Sequence, residues 1–159
     1  MAYDINPRIE LTVSDIRDSI LVNLKNRFRE AGIVRYKSFK ADLTGKTDLP
    51  LEAYDFVIAD LPCSGSGTWS RTPEQLRFFK QEKIAYYSSL QKAILTRVAG
   101  TVKPGGRLVY ITCSVFREEN ESVADFAVER LGLKLVERQL LKGYEMKADS
   151  LFVAVFQKE

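Results

Sequence analysis

The stretch Tyr54-Asp55-Phe56-Val57-Ile58-Ala59 runs directly into Asp60-Leu61-Pro62-Cys63-Ser64-Gly65-Ser66-Gly67. The first segment is nearly all apolar, which is typical of a strand that helices cover on both faces. A second apolar run, Leu108 to Ile111, leads in the same way into Thr112-Cys113-Ser114. If both strands belong to one parallel sheet, the two cysteines meet at its carboxyl edge, where open α/β sheets bind ligands. The pattern therefore indicates the geometry of an active site.

Upstream of these runs, the sequence predicts a strand, a helix and a second strand. The extended run Leu11-Thr12-Val13 ends at Ser14-Asp15, and Val34 to Lys40 alternates apolar and charged residues before Asp42, as an edge strand does. Between them, apolar residues fall on one helical face, and Gly32 is suited to end that helix. The residues on this face are Ile20, Leu21, Leu24 and Phe28.

Downstream, the sequence predicts two helices and a closing pair of strands. Thr72-Pro73-Glu74-Gln75 has the composition of a capping box and predicts the start of a long helix. The acidic segment Glu118-Glu119-Asn120-Glu121 predicts the first turn of another helix, which Gly132 closes. The runs Leu133 to Leu141 and Leu151 to Phe156 predict an antiparallel hairpin. Strands that alternate with helices indicate an α/β fold.

Composition limits the class of protein. The 159 residues are 45% hydrophobic and 28% charged, which predicts one globular domain over residues 1–159. No apolar run is long enough to span a bilayer, and Asp4, Asn6, Pro7 and Arg8 interrupt any signal-peptide core. We therefore expect a cytoplasmic protein with no membrane partner. A net charge of +3 permits a nucleic-acid partner without implying one.

The two cysteines are expected to be reduced thiols and not metal ligands. They lie far apart in a chain without secretory signals, which disfavours a disulfide. The chain contains no histidine, so a tetrahedral zinc site would have to be completed by carboxylates, and we expect no metal.

A thiolate suits reactions that need a temporary covalent adduct, because it is both a strong nucleophile and a fair leaving group. Activation of the C5 carbon of cytosine is one such reaction. Thiolate addition at C6 makes C5 nucleophilic enough to displace a methyl group from a sulfonium. A carboxyl group is then needed near ring nitrogen N3, and Asp60 stands three positions before Cys63. A second thiol or a water would remove the C5 proton afterwards.

Four ordered motifs together resemble one enzyme family. They are Asp60 to Gly67, Val102-Lys103-Pro104-Gly105-Gly106, Thr112-Cys113-Ser114 and Glu118-Glu119-Asn120-Glu121. In this order they are similar to the RNA cytosine-C5 methyltransferases of the Sun (Fmu-like) family, and the similarity extends along nearly the whole chain. The resemblance implies a Rossmann-like methyltransferase sheet, S-adenosylmethionine (S-adenosyl-L-methionine) as methyl donor, and RNA, in particular ribosomal RNA, as partner.

The resemblance also implies roles for individual residues. It makes Cys113 the nucleophile, and Cys63 the residue that assists release of the methylated product. DNA cytosine methyltransferases attack with the cysteine that follows proline, so this order of roles rests on the family resemblance and not on spacing. Asp15 matches the acid that holds the ribose hydroxyls of the donor, Asp42 the acid beside its adenine, and Asp60 lies near its methionine end.

The family sheet has a first strand and a glycine-rich donor loop that this sequence lacks. We therefore expect residues 1–159 to be a single C-terminal portion of a larger catalytic domain, inactive by itself. The strands that end at Asp15 and Asp60 would then pair directly, or a second copy would cover the exposed edges in an oligomer.

Plainer interpretations stay open for several of these residues. Free cysteines are often buried structural thiols, and Asp15 and Asp42 suit helix caps or loops as well as ligands. Trp69 and Arg71 are compatible with two roles: to stack on or clamp a flipped base, or to pack the loop. A stretch of basic side chains could contact RNA phosphates or form an ordinary solvent-exposed face. These residues are Lys25, Arg27, Arg29, Arg35, Lys37 and Lys40. The alternative function is a non-catalytic RNA-binding or assembly module.

Overall fold

The structure is a computed structural model that describes residues 9–45 and 47–159. It divides into two compact units, Met1–Thr47 and Asp48–Glu159. The signal-peptide prediction concerns residues 4–8, which lie outside the described residues. Within the described ranges, no helix has the length and apolar character needed to cross a membrane.

The first unit contains a strand, a helix and a second strand. Strands β1 (Leu11–Asp15) and β2 (Tyr36–Lys40) pair in parallel. Helix α1 (Asp18–Glu30) connects them, as a parallel pair requires. Gly32 follows the helix with a φ of +69°, a conformation that favours glycine. The predicted order of strand, helix and strand is confirmed.

The second unit is built on a four-stranded sheet. Its strands are β3 (Tyr54–Asp60), β4 (Val102–Thr112), β5 (Leu133–Leu141) and β6 (Leu151–Lys158). In space the order is β3-β4-β6-β5. Strands β3 and β4 are parallel, whereas β6 runs antiparallel to both β4 and β5. The predicted parallel pair and the predicted closing hairpin are both confirmed.

Helices α2 (Gln75–Phe78), α3 (Glu82–Ala99) and α4 (Glu121–Leu131) complete the second unit. Helices α3 and α4 contact each other and both contact the sheet. The core is apolar and well shielded, with the following side chains at most 1% exposed: Leu95, Val102, Leu108, Tyr110, Val123, Phe152 and Phe156. Burial of these groups is the main stabilising contribution to the unit.

The helix predicted to start at Thr72 differs from the structure. Helix α2 ends at Phe78, Phe79 has extended backbone angles, and α3 begins only at Glu82. The Thr72 hydroxyl donates to the main-chain carbonyl of Thr68, and the N–H of Gln75 donates to the main-chain carbonyl of Thr72. The Thr72 side chain therefore does not accept the N–H of Gln75, and the capping box does not form. Local hydrogen bonds of this kind compete with helix capping.

The composition of β3 predicts a strand that helices cover on both faces, but the structure differs. Phe56 and Ile58 are 55% and 63% exposed, whereas Ala59 is buried. Phe56 and Ile58 lie on one face of the strand and Ala59 on the other, so at this end of β3 only the Ala59 face is shielded. The strands that end at Asp15 and Asp60 belong to separate sheets, so the direct pairing that the sequence offered as one alternative is not formed.

Candidate active site

Cys63 and Cys113 meet at the carboxyl edge of the sheet. Strands β3 and β4 run in parallel with Asp60 opposite Ile111, so the segments that leave them start side by side. The Sγ atom of Cys63 lies 3.2 Å from the Sγ atom of Cys113. Both side chains are half-buried, and both thiols are free. The sequence therefore predicted the meeting of the two thiols correctly.

The two thiols perturb each other's ionisation. A hydrogen bond from the Cys63 thiol lowers the pKa of Cys113 to about 7, although partial burial and the charge of Asp60 act in the opposite direction. The same contact, together with burial, raises the pKa of Cys63. The thiolate is the nucleophilic form of cysteine. Cys113 is therefore the sulfur of the pair that is suited to attack, and Cys63 keeps its proton.

Asp60 places a carboxyl group at the same edge. It is the last residue of β3, and partial desolvation raises its pKa. Its charge also opposes ionisation of Cys113, which shows that the carboxyl group is within electrostatic reach of that thiol. The raised pKa brings proton exchange by this carboxyl group closer to neutral pH, which favours a role in proton transfer.

The loop after Cys63 packs directly on the main chain of Cys113. The N–H of Gly67 donates to the Cys113 carbonyl at 2.8 Å, and the Gly67 carbonyl accepts the N–H of Ser150 at 2.9 Å. A Cβ atom at Gly67 would lie only 2.1 Å from the Ser150 oxygen and 3.0 Å from the Cys113 oxygen. The glycine is required here by close approach of three backbone segments.

Glu119 binds the residues that follow both cysteines. Its carboxylate is fully buried and accepts the N–H of Ser64 at 2.7 Å and the O–H of Ser114 at 3.2 Å. The side-chain amide of Gln91 donates to it at 3.3 Å and to the Pro62 carbonyl at 2.9 Å. A buried carboxylate needs such donors, because an unpaired buried charge is costly. One side chain thus fixes the backbone beside both thiols.

This role of Glu119 was not predicted from the sequence. The acidic segment predicted Glu119 in the first turn of a helix, but α4 begins only at Glu121. A signal was present: Glu119 stands four residues before Val123 and eight before Ala127, both of which are buried in α4. Glu119 therefore extends the apolar stripe of the helix into the core.

Asn120 holds the backbone on either side of Cys113. Its side-chain oxygen accepts the hydroxyl of Thr112 at 2.6 Å, and its amide donates to the carbonyl of Ser114 at 2.9 Å. Thr112, Ser114 and Asn120 are all buried. The segment that carries the thiol is therefore fixed from both ends by one amide side chain.

Trp69 and Arg71 both have structural partners. The Trp69 ring meets Phe79 edge-on, with the ring centres 4.9 Å apart, and also contacts Phe116. The Arg71 guanidinium forms a two-point ion pair with Asp149, at 3.1 and 2.6 Å, which lowers the pKa of that carboxyl group. These contacts support packing of the loop as one role of both residues.

Asp15 and Asp42 lie in the first unit, at or after the carboxyl ends of its two parallel strands. The Asp15 carboxylate accepts the N–H of Arg17 at 2.8 Å and pairs with its guanidinium at 3.1 Å, which lowers the Asp15 pKa. Asp42 accepts the N–H and hydroxyl of Thr44, at 2.9 and 2.6 Å. Such bonds are typical of loop carboxylates. Binding of the donor by both residues stays a prediction.

Several known proteins are similar to this chain in sequence and in fold. A ribosomal RNA small subunit methyltransferase F from Aeromonas salmonicida is 32% identical over 124 residues, which cover 77% of this chain and 26% of that protein. The chain thus spans about a quarter of the length of that relative. Among solved structures, PH0851 superposes with a TM-score of 0.84 at 30% identity, covering 94% of this chain and 37% of that one.

A further solved structure, described as NSun6 from Pyrococcus horikoshii with SFG, superposes with a TM-score of 0.83 at 23% identity. The superposition covers 94% of this chain and 41% of that one, and it supports the fold of this chain. The predicted Rossmann-like methyltransferase sheet is confirmed. Residues 5–156 match the sequence model of the family described as 16S rRNA methyltransferase RsmB/F. Because this match covers almost the entire chain, the chain belongs to the 16S rRNA methyltransferase RsmB/F family.

Proposed function

We propose that this chain is part of an S-adenosylmethionine-dependent RNA methyltransferase that methylates C5 of a cytosine in ribosomal RNA. Membership of the RsmB/F family supports RNA methylation. The observation that carries the choice of C5 is the 3.2 Å contact between the Cys63 and Cys113 thiols. Methylation at a ring carbon needs a covalent nucleophile and a group that assists its departure, and these two thiols supply both.

Cys113 acts as the nucleophile in this proposal. Its thiolate Sγ forms a bond to C6 of the cytosine, and the electron pair of the C5–C6 double bond shifts toward N3. Asp60, whose pKa is raised by desolvation, donates a proton to N3 as the negative charge develops there. The ring is then left with a nucleophilic C5 carbon.

S-adenosylmethionine supplies the methyl group as an electrophile bound to sulfonium sulfur. Asp15, Asp42 and Asp60 are the residues that would hold this donor. All three carboxylates lie at or just after the carboxyl ends of parallel strands, which is where open α/β sheets bind ligands. Carboxylate oxygens also accept hydrogen bonds from ribose hydroxyls, so each of these residues is chemically suited to a contact with the donor.

Cys63 acts after methyl transfer. At that stage C5 carries both the new methyl group and its original hydrogen, and C6 is still bonded to Cys113. Removal of the C5 proton by a water acting as base, and return of the N3 proton to the Asp60 carboxylate, restore the double bond and expel the Cys113 thiolate. The Cys63 thiol, 3.2 Å from the departing sulfur, stabilises it by hydrogen bonding and so makes it a better leaving group.

Methylation of undermodified ribosomal RNA by the full-length protein tests the proposal. The protein is incubated with labelled donor, and the RNA is digested to nucleosides. We expect label in 5-methylcytidine, whereas label found only in other nucleosides contradicts the proposal. A non-catalytic RNA-binding or assembly module would bind the RNA and transfer no label. The same assay on the 159-residue chain tests the prediction that it is inactive by itself.

Single substitutions separate the roles of the two cysteines. Cys113→Ala is expected to abolish both methylation and covalent adduct formation. Cys63→Ala is expected to slow product release, so that a covalent protein–RNA species accumulates and is seen as a shifted band on a denaturing gel. If Cys113→Ala traps RNA and Cys63→Ala does not, the two roles are reversed.

A further inference from the structure

A small cavity with aromatic walls begins beside the proposed reaction centre. Its volume is about 140 Å³. The residues that line it include Ser64, Trp69, Phe78, Phe79, Lys83 and Tyr87. Ser64 directly follows Cys63 in the chain, so one wall of the cavity is a neighbour of the thiol pair. The mechanism above uses none of the aromatic rings or the lysine.

Packing fixes the rings that form the inner part of this cavity. Phe79 stacks on Phe116 with their centres 5.5 Å apart, and Trp69 meets Phe79 edge-on at 4.9 Å. Phe79 has extended backbone angles and follows the end of α2, so the break between α2 and α3 places two successive phenylalanines at the cavity. Rings that are already fixed lose less conformational entropy than mobile rings when a ligand binds to them.

The exposed side chains that line the cavity include an aromatic one and a positively charged one. The Phe78 ring is 64% exposed, so its face is accessible to a ligand from solvent. Lys83, the second residue of α3, is also exposed and lines the same cavity. Proteins that bind single-stranded nucleic acid combine exposed aromatic rings with cations in this way.

We propose that this cavity is a subsite for one nucleobase of single-stranded RNA, next to the cytosine that is methylated. Its volume is well below the roughly 300–1,000 Å³ of pockets for drug-sized ligands, so it fits one flat ring better than a large cofactor. The base stacks on the aromatic rings, and Lys83 contacts its phosphate. The subsite rests on the proposed function, because it assigns part of the substrate of that reaction.

The fluorescence of Trp69 reports directly on this cavity, since the chain has only one tryptophan. We expect titration of the 159-residue chain with a short single-stranded RNA to quench that fluorescence, because a base stacks within the cavity. An RNA of equal length and abasic throughout carries the same phosphates but cannot stack. It is expected to bind more weakly and to leave the fluorescence nearly unchanged.

Two exposed aromatic residues provide a matched pair of variants. Phe78, in the cavity, is 64% exposed, and Tyr86, on α3 outside its lining, is 63% exposed. Phe78→Ala is expected to weaken RNA binding about tenfold, whereas Tyr86→Ala is expected to leave it unchanged. Lys83→Gln is expected to weaken binding and to reduce its dependence on salt concentration. Neither exposed ring is part of the core, so both variants are expected to fold.

The outcomes distinguish the subsite from the proposed function. Equal quenching by abasic RNA, or equal effects of Phe78→Ala and Tyr86→Ala, overturns the subsite alone. The same holds if the full-length protein methylates cytosine but RNA leaves Trp69 unquenched. If the full-length protein neither binds RNA nor methylates it, the proposed function and the subsite are overturned together.

Discussion

The carboxylate of Glu119 accepts the main-chain N–H of Ser64 at 2.7 Å, although the two residues are far apart in sequence. Its other oxygen accepts the hydroxyl of Ser114 at 3.2 Å. Because each serine directly follows one of the two cysteines, this one buried carboxylate links the two segments that carry the thiols. Glu119 therefore has a positioning role, which can be separated from the chemistry of the thiols.

Glu119→Ala is expected to lower the free energy of unfolding by about 3 kcal/mol, because the Ser64 N–H loses its acceptor and Ser114 and Gln91 each lose one of theirs. Chemical denaturation measures this change. The matched control is Glu118→Ala, since Glu118 is the exposed neighbour in the same motif and should have little effect. Equal stability of the two variants would contradict the proposed network.

The contact between the thiols predicts how alkylation of Cys113 depends on pH. The pKa of Cys113 is lowered to about 7 by the hydrogen bond from Cys63, so its alkylation by iodoacetamide should rise as the pH increases through that value. Cys63→Ala removes the hydrogen bond and should shift the midpoint to higher pH. Mass spectrometry of the Cys113 peptide measures the rate, and an unchanged midpoint in the variant would refute this explanation.

Gly67→Ala is expected to disturb the loop that carries Cys63. The added Cβ atom would lie 2.1 Å from the Ser150 carbonyl oxygen, so the backbone has to move, and we expect a loss of about 2 kcal/mol in the free energy of unfolding. Gly100→Ala is the control, because its nearest contacts are 3.4 and 3.5 Å and its φ is −64°. Denaturation curves that coincide for the two variants would show that the loop relaxes freely.

The sequence predicted the elements whose signals are local. Strand β3 and the end of β4 are continuous apolar runs, and both deliver a cysteine to the same edge of the sheet. Gly132, which has a φ of +63°, closes α4 as expected. The meeting of Cys63 and Cys113 followed from two parallel strands alone, because parallel strands present their carboxyl ends at one edge.

Features that depend on tertiary contacts were not predicted. The break between α2 and α3 arises where Thr72 bonds to Thr68 and does not cap Gln75. Exposure of Phe56 depends on which face of β3 is covered by the rest of the protein, and the composition of the strand does not reveal this. Burial of Glu119 depends on donors from distant parts of the chain. The spacing of Glu119 from Val123 and Ala127 indicates the buried face of the helix but does not identify these donors.

Asp60→Asn is expected to change two properties of the active site in opposite directions. Methylation by the full-length protein should fall by a factor of about 100 to 10,000, because an amide cannot donate the proton that N3 requires. Alkylation of Cys113 near neutral pH should become faster. The reason is that the charge of Asp60 raises the Cys113 pKa, so removal of that charge lowers it further.

Faster alkylation of Cys113 with Cys63 still unreactive excludes general damage to the fold as the cause, since misfolding would expose both thiols alike. Asp55→Asn is the control: Asp55 lies on the same strand, is exposed, and pairs with Lys103 away from the thiols. In the Asp55→Asn variant, the rates of methylation and of Cys113 alkylation should equal those of the unaltered protein. If Asp60→Asn leaves methylation intact, Asp60 is not the proton donor, and if it slows alkylation, its carboxylate does not oppose ionisation of Cys113.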